Sequence, residues 1–146
     1  MVPAWAAQAL AADAKPTLTL RTAPAEARPG EYVVLEVGAT IPAGYHMYAL
    51  TKIAAGPKPL AITVDDTRLS PAGGWFSAVA PTVAFDARFG KAVEQFAGAV
   101  LHRRVFLVPS GTAAGSRAVS VAVAGQICDE RQCVVFRENL SAALRI

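Results

Sequence analysis

The residues with the most chemistry in this sequence are its two cysteines. They stand in Gly-Gln-Ile-Cys-Asp-Glu-Arg-Gln-Cys-Val-Val-Phe, residues 125–136, with four polar residues between Cys128 and Cys133. Sulfurs so spaced can form a reversible disulfide, a permanent one, or part of a metal site. A bond closing a ring of about six residues stabilises by only roughly 2 kcal/mol in the chain-entropy model. A domain of this size has little need of so short a staple, and a bond made for stability would join more distant strands. The spacing therefore favours redox use. Structural zinc asks for four ligands in spaced pairs, whereas this chain offers two cysteines and two isolated histidines, His46 and His102. Copper(I) accepts sulfur at low coordination, and Cys128, Cys133 and Met47 are the set it would use.

Reactivity follows the thiolate fraction. Asp129 and Glu130 stand between the cysteines with Arg131 as the nearby cation, and no helix N-terminus is predicted here. Neither thiol is strongly acidified by its sequence neighbours. Such a pair exchanges slowly with small thiols and faster when a docked partner supplies geometry and charge.

What positions these sulfurs is legible in the period-two runs. Thr17 to Thr22, Tyr32 to Val37, Leu60 to Val64, Val100 to Val108, Ala118 to Val123, Cys133 to Arg137 and Leu140 to Ile146 alternate as strands do. Ten prolines and eleven glycines punctuate them, and no window holds a helical apolar period. Short strands at this spacing predict an all-β, immunoglobulin-like sandwich with few or no helices. The 54–59 and 70–85 connections are the least strand-like parts. Cys128 then ends one strand and Cys133 begins the next, facing across a hairpin at a separation a disulfide can span. With Val119, Val121 and Val123 facing the core, Ile127 points inward and Cys128 outward, where it is reachable; a bulge at Gly125 would reverse this.

Fourteen Lys and Arg face eleven Asp and Glu, spread along the chain with Arg103-Arg104 the one adjacent basic pair. A nucleic-acid groove needs clustered basic residues interleaved with aromatics, and that class is set aside. No stretch reaches the roughly 20 apolar residues of a membrane-spanning helix. Val2 to Ala12 is apolar with small residues at alternate positions, like the end of a secretory signal. Residues 1–14 are read as a signal remnant or a disordered tail, and 15–146 as a single domain.

Three blocks together resemble a known family: Gly-Tyr-His-Met-Tyr at 44–48, Asp-Ala-Arg-Phe-Gly-Lys at 86–91, and Gly-Gln-Ile-Cys-Asp-Glu-Arg-Gln-Cys at 125–133. From about Pro42 onward the chain is similar to the N-terminal periplasmic domain of the thiol:disulfide interchange protein DsbD. The resemblance implies a periplasmic immunoglobulin-like domain of an inner-membrane reductase, a protein-disulfide reductase. Its cysteine pair takes electrons from a thioredoxin-like domain of the same membrane protein. It passes them to periplasmic disulfide isomerases and to the thioredoxin-like proteins of cytochrome c maturation. By position Cys133 forms the mixed disulfide and Cys128 resolves it, a choice the residues alone leave open. The resemblance also implies an aromatic cap loop, here Asp86-Ala87-Arg88-Phe89-Gly90, with Phe89 as its aromatic and Arg88 where the family's cap phenylalanine is expected. Tyr45, His46 and Tyr48 border the site, His46 standing where another aromatic is common. Val134-Val135-Phe136 replaces the prolines that commonly follow the second cysteine.

The expected function is thiol-disulfide interchange without a cofactor or metal, with no nucleic acid and with the membrane met only through the parent polypeptide. Asp86 and Glu130 are the candidates for assisting proton movement. His102, beside two arginines, is expected on the surface. The alternative is an immunoglobulin-like protein- or copper-binding module whose disulfide is structural.

Overall fold

Valine at positions 119, 121 and 123 gives one strand a continuous apolar face, and that strand anchors the fold. The computed structural model describes residues 14–65 and 68–146; residues 1–13, nearly all of the segment read as a signal remnant, lie outside the described residues. Eleven strands follow in order: β1 (Thr17–Ala23), β2 (Tyr32–Thr40), β3 (His46–Tyr48), β4 (Ala61–Val64), β5 (Ser70–Pro71), β6 (Phe76–Ser77), β7 (Thr82–Asp86), β8 (Lys91–Phe96), β9 (Ala99–Leu107), β10 (Ser116–Cys128) and β11 (Cys133–Arg145). No helix occurs among the described residues.

One sheet runs β1-β2-β9-β5 with β6 also on β9, and the other runs β11-β10-β3-β8-β7 with β4 also on β10. Pairing between these strands is antiparallel throughout. This is the expected all-β immunoglobulin-like sandwich. Its core joins Val33, Leu35 and Val37 of β2 and Phe106 of β9 to Val119, Val121, Val123 and Ile127 of β10.

Two expectations about the strands need correction, and a third, the unbroken run through Gly125, stands. The two C-terminal runs form one uninterrupted strand, β11. The 70–85 stretch holds β5, β6 and most of β7, and β8 follows at once. These strands are short or edge-placed, and their faces carry Thr, Ala, Lys, Glu and Gln in place of clean alternation. Gly125 hosts no bulge, because the β10–β11 register continues unbroken through it to Cys128. Its glycine serves a close approach instead: a Cβ there would lie 2.8 Å from Cζ of Phe136, the cross-strand neighbour.

His102 also departs from expectation. Alternation along β9 puts it on the inner face between Val100 and Phe106, pairing it with Val37, while Arg103 points outward to Glu36. It has no exposed surface, its ring meets Phe96 edge-on at 5.5 Å, and neither ring nitrogen has a partner among the described residues. Glu36, by contrast, accepts hydrogen bonds from Arg103 and Arg21, each at 2.8 Å. The Arg103 bond, above all, holds its carboxyl below the usual range.

Burial pushes the His102 imidazole down to about 4. An unfolded histidine titrates near 6.5, so between those values the unfolded chain binds a proton the folded one refuses. Stability from this source is complete above about pH 6.5 and is lost as pH falls toward 4. His46, lowered by its own burial, adds to the slope in the same direction. Urea unfolding is expected to show a loss on the order of 2 to 3 kcal/mol between pH 7 and pH 4.5. His102→Leu flattens most of it.

Candidate functional site

The cysteine hairpin is set by its turn. Asp129 N–H donates to the Gln132 carbonyl at 2.9 Å, while Asp129 Oδ1 accepts from the backbone N–H of Arg131 at 2.8 Å and of Gln132 at 2.7 Å. The Gln132 N–H, then that of Arg131, holds the Asp129 carboxyl below the usual range. Gln132 Nε2 in turn donates to the Tyr45 hydroxyl at 2.9 Å, tying the turn to the residue that leads into β3. Because Asp129 and Gln132 form a hydrogen-bonded pair, the next pair down the ladder is a non-hydrogen-bonded one, where strands approach most closely. That pair is Cys128 and Cys133, with Cα atoms 4.1 Å apart and a disulfide of 2.07 Å between the sulfurs.

Cys128 does point away from the main core, as the alternation requires, but it is not reachable. It has no exposed surface and forms a second apolar cluster with Tyr48 and Val93, against which Ile53, Phe89 and Cys133 pack. The expectation of an open outer face fails because β3 and β8 carry Tyr48 and Val93 to the same side, while Ile53 and Phe89 arrive from loops. Val93 and Ile53 were not singled out from the sequence. Only a correct reading of β8 and its parity would have found Val93, and no sequence signal marks Ile53. Cys133 is half-buried, giving the pair one sealed and one partly open member.

Beside this cluster runs a polar chain. The Tyr48 hydroxyl donates to Asp86 Oδ2 at 2.6 Å and lies 3.1 Å from His46 Nε2. With its one proton directed at Asp86, the phenol oxygen accepts from the imidazole, so His46 carries its proton on Nε2. His46 Nε2 also lies 3.8 Å from Asp86 Oδ2. Burial pushes the Tyr48 phenol up, and the Asp86 hydrogen bond pushes it further. Asp86 is pulled upward by burial, but hydrogen bonds from Tyr48 and the Arg88 N–H outweigh this and leave it below its usual value. Burial lowers His46 more than the Asp86 charge raises it.

The turn after β7 folds over the cluster. Arg88 N–H donates to Asp86 Oδ1 at 2.9 Å, and Gly90 takes the left-handed conformation, φ 68°, that closes the turn. Phe89 meets the Tyr48 ring edge-on at 6.0 Å. The exposed Arg88 side chain reaches the cysteine hairpin and donates from Nη2 to the Asp129 carbonyl at 3.1 Å. Glu130 stands exposed on the rim of an adjoining open cavity of about 790 Å³, whose wall includes His46, Phe85, Asp86 and Arg88. The structure thus brings together Cys128, Cys133, His46, Tyr48, Asp86, Arg88 and Phe89, with Tyr45 bracing the turn from the core side. It does not bring in Met47, which pairs with Ile127 and sits in the main core on the opposite face, so the copper set is divided across the sheet.

No protein-family model matches the sequence, and no curated protein matches it. Among solved structures, the N-terminal periplasmic domain of ScsB from Proteus mirabilis superposes with a TM-score of 0.55 at 11% identity, over 85% of this chain. The chain spans 43% of that structure's length. The N-terminal domain of DsbD from Neisseria meningitidis, solved in the reduced form, gives a TM-score of 0.49 at 17% identity, over 90% of this chain and 83% of that one. At such identity the likeness to the ScsB domain is one of fold: the two share a β-sandwich architecture.

Proposed function

We propose that residues 15–146 act as a periplasmic thiol-disulfide interchange domain, passing reducing equivalents from a thioredoxin-like domain of a membrane reductase to periplasmic partner proteins. The observation that carries this reading is the Cys128–Cys133 bond at a hairpin tip, with one cysteine sealed and the other partly open beneath an aromatic turn. The fold shared with a periplasmic domain supports an exported location. Periplasmic disulfide isomerases and the thioredoxin-like proteins of cytochrome c maturation are the partners that the sequence resemblance brings to this reading.

In the reduced domain the Cys133 thiolate attacks a partner's disulfide, and the partner's far sulfur leaves as a thiolate and takes up a proton. Cys128 then attacks the Cys133 sulfur and releases the partner's near sulfur. The partner's disulfide has become a dithiol, the domain's dithiol has become the Cys128–Cys133 bond, and two electrons have crossed. A dithiol from a thioredoxin-like domain reverses the change, and no cofactor is needed. Cys133 takes the attacking role because it is the member a visiting sulfur can reach.

A carboxyl held below its usual range is a poor base. We therefore assign Asp86 to fixing Tyr48 over the sulfurs, with His46 completing the brace. Phe89 is the lid and Arg88 its tie to the hairpin. Glu130, exposed on the rim, meets the partner.

Two outcomes test this reading. Cys128→Ser, mixed with oxidised thioredoxin, is expected to yield a covalent adduct through Cys133, seen by mass spectrometry, whereas Cys133→Ser yields none. Absence of adduct from both variants would establish the structural-disulfide binding module instead. Phe89→Ala is expected to speed reduction of the bond by dithiothreitol about fivefold or more, because access of the attacking thiolate governs the rate. An unchanged rate removes the lid from the account.

A further inference from the structure

The free edge of β7 carries a second feature of this face. Among the described strands β7 pairs with β8 alone, which makes it the edge of its sheet. Which backbone groups point off that edge follows from one bond. Ala49 N–H donates to the Glu94 carbonyl at 3.0 Å, so Glu94 turns its backbone groups toward β3. Its neighbours Val93 and Gln95 turn theirs toward β7, in pairs with Ala84 and Thr82. That leaves the N–H and C=O of Val83 and Phe85 directed outward with no partner strand.

The same two residues are the most exposed large apolar side chains of the described chain, Val83 at 67% and Phe85 at 71%. Edge strands in soluble proteins are usually blunted by Lys, proline or a bulge, yet between Pro81 and Asp86 the sequence reads Thr-Val-Ala-Phe. Phe85 also lines the cavity beside the cysteine hairpin, which makes this edge continuous with the site.

We infer that β7 is a docking edge on which an extended segment of the redox partner adds as a further strand, its alternate apolar residues against Val83 and Phe85; this rests on the interchange function proposed above. Unpaired backbone groups on an edge select extended polypeptide. A five-residue strand is about 17 Å long and too small by itself to hold a second copy of the chain, since a stable interface buries on the order of 1,200 Å² or more. The occupant must be held at a second point, and a partner engaged at Cys133 is held so, which raises the local concentration of its segment at β7.

The test uses the Cys128→Ser protein and, as probe, a thioredoxin with a single active-site cysteine activated as its thionitrobenzoate disulfide. Cys133 displaces the thionitrobenzoate and leaves a stable mixed disulfide. In that adduct the amide protons of Val83 and Phe85 are expected to exchange with solvent at least about tenfold more slowly than in the free protein, while that of Ala84, already in the ladder, is unchanged. Val83→Lys with Phe85→Lys is expected to slow exchange with thioredoxin about tenfold and to leave reduction by dithiothreitol within about twofold. An adduct whose Val83 and Phe85 amides exchange as in the free protein overturns the docking edge and leaves the interchange function standing. Failure to form any adduct overturns the interchange function and this inference with it. Protection that appears without thioredoxin and grows with protein concentration assigns the edge to self-association and overturns the inference.

Discussion

The register between β10 and β11 is the constraint on which the rest of this molecule hangs. Their pairing holds from Ser116 opposite Arg145 to Cys128 opposite Cys133, and the Asp129 turn fixes its end. Side-chain parity follows at once: Val119, Val121, Val123 and Ile127 line the core, and Cys128 must face the other way. A slip of one residue would exchange the two sets, leaving valines in water and a sulfur in the main core. The same parity, carried across to β3 by the pairing of Cys128 with His46, selects His46 and Tyr48 for the sulfur face and sends Met47 inside. Chemistry at the tip is thus a by-product of packing at the base.

The two sulfurs differ because of what surrounds them. Apolar surroundings disfavour a thiolate, and Cys128 lies among Tyr48 and Val93 with Phe89 and Ile53 packed beside them. Cys133, on the strand that leaves the turn, keeps some contact with solvent. Hydrogen bonds near the pair go to Tyr48, Asp86 and the turn backbone, which hold the roof in place. This division of labour lies in the shape of the site, since the pair itself is chemically symmetrical.

Much of this was legible in the residues. Alternation marked β1, β2, β9 and the lower part of β10, and the Cys-x4-Cys spacing with its polar interior marked the hairpin. The roof over Cys128 was not legible, because Tyr48, Ile53, Phe89 and Val93 are spread over β3, a loop, a turn and β8. Nothing local says that they converge. Edge and near-edge strands such as β7 and β8 have little to bury on one face, so their composition carries no clear period. His102 hides its inner placement for a related reason: of the two arginines that follow it, Arg103 faces the opposite way as any adjacent strand residue does, and the residues two places off, Val100 and Arg104, give mixed signals.

One arrangement in β10 reaches beyond chemistry. Along its flank away from β11, this strand is served by β4 at residues 121–124 and then by β3 at residues 127–128, and in the gap between them the Gln126 side chain receives the Lys58 N–H at 3.0 Å. The flank is therefore stitched in two lengths with a seam between them. The tip of β10 that carries Cys128 is thus held between β11 and β3, and its base between β11 and β4, with the Gln126–Lys58 bond as the tie across the seam on that flank.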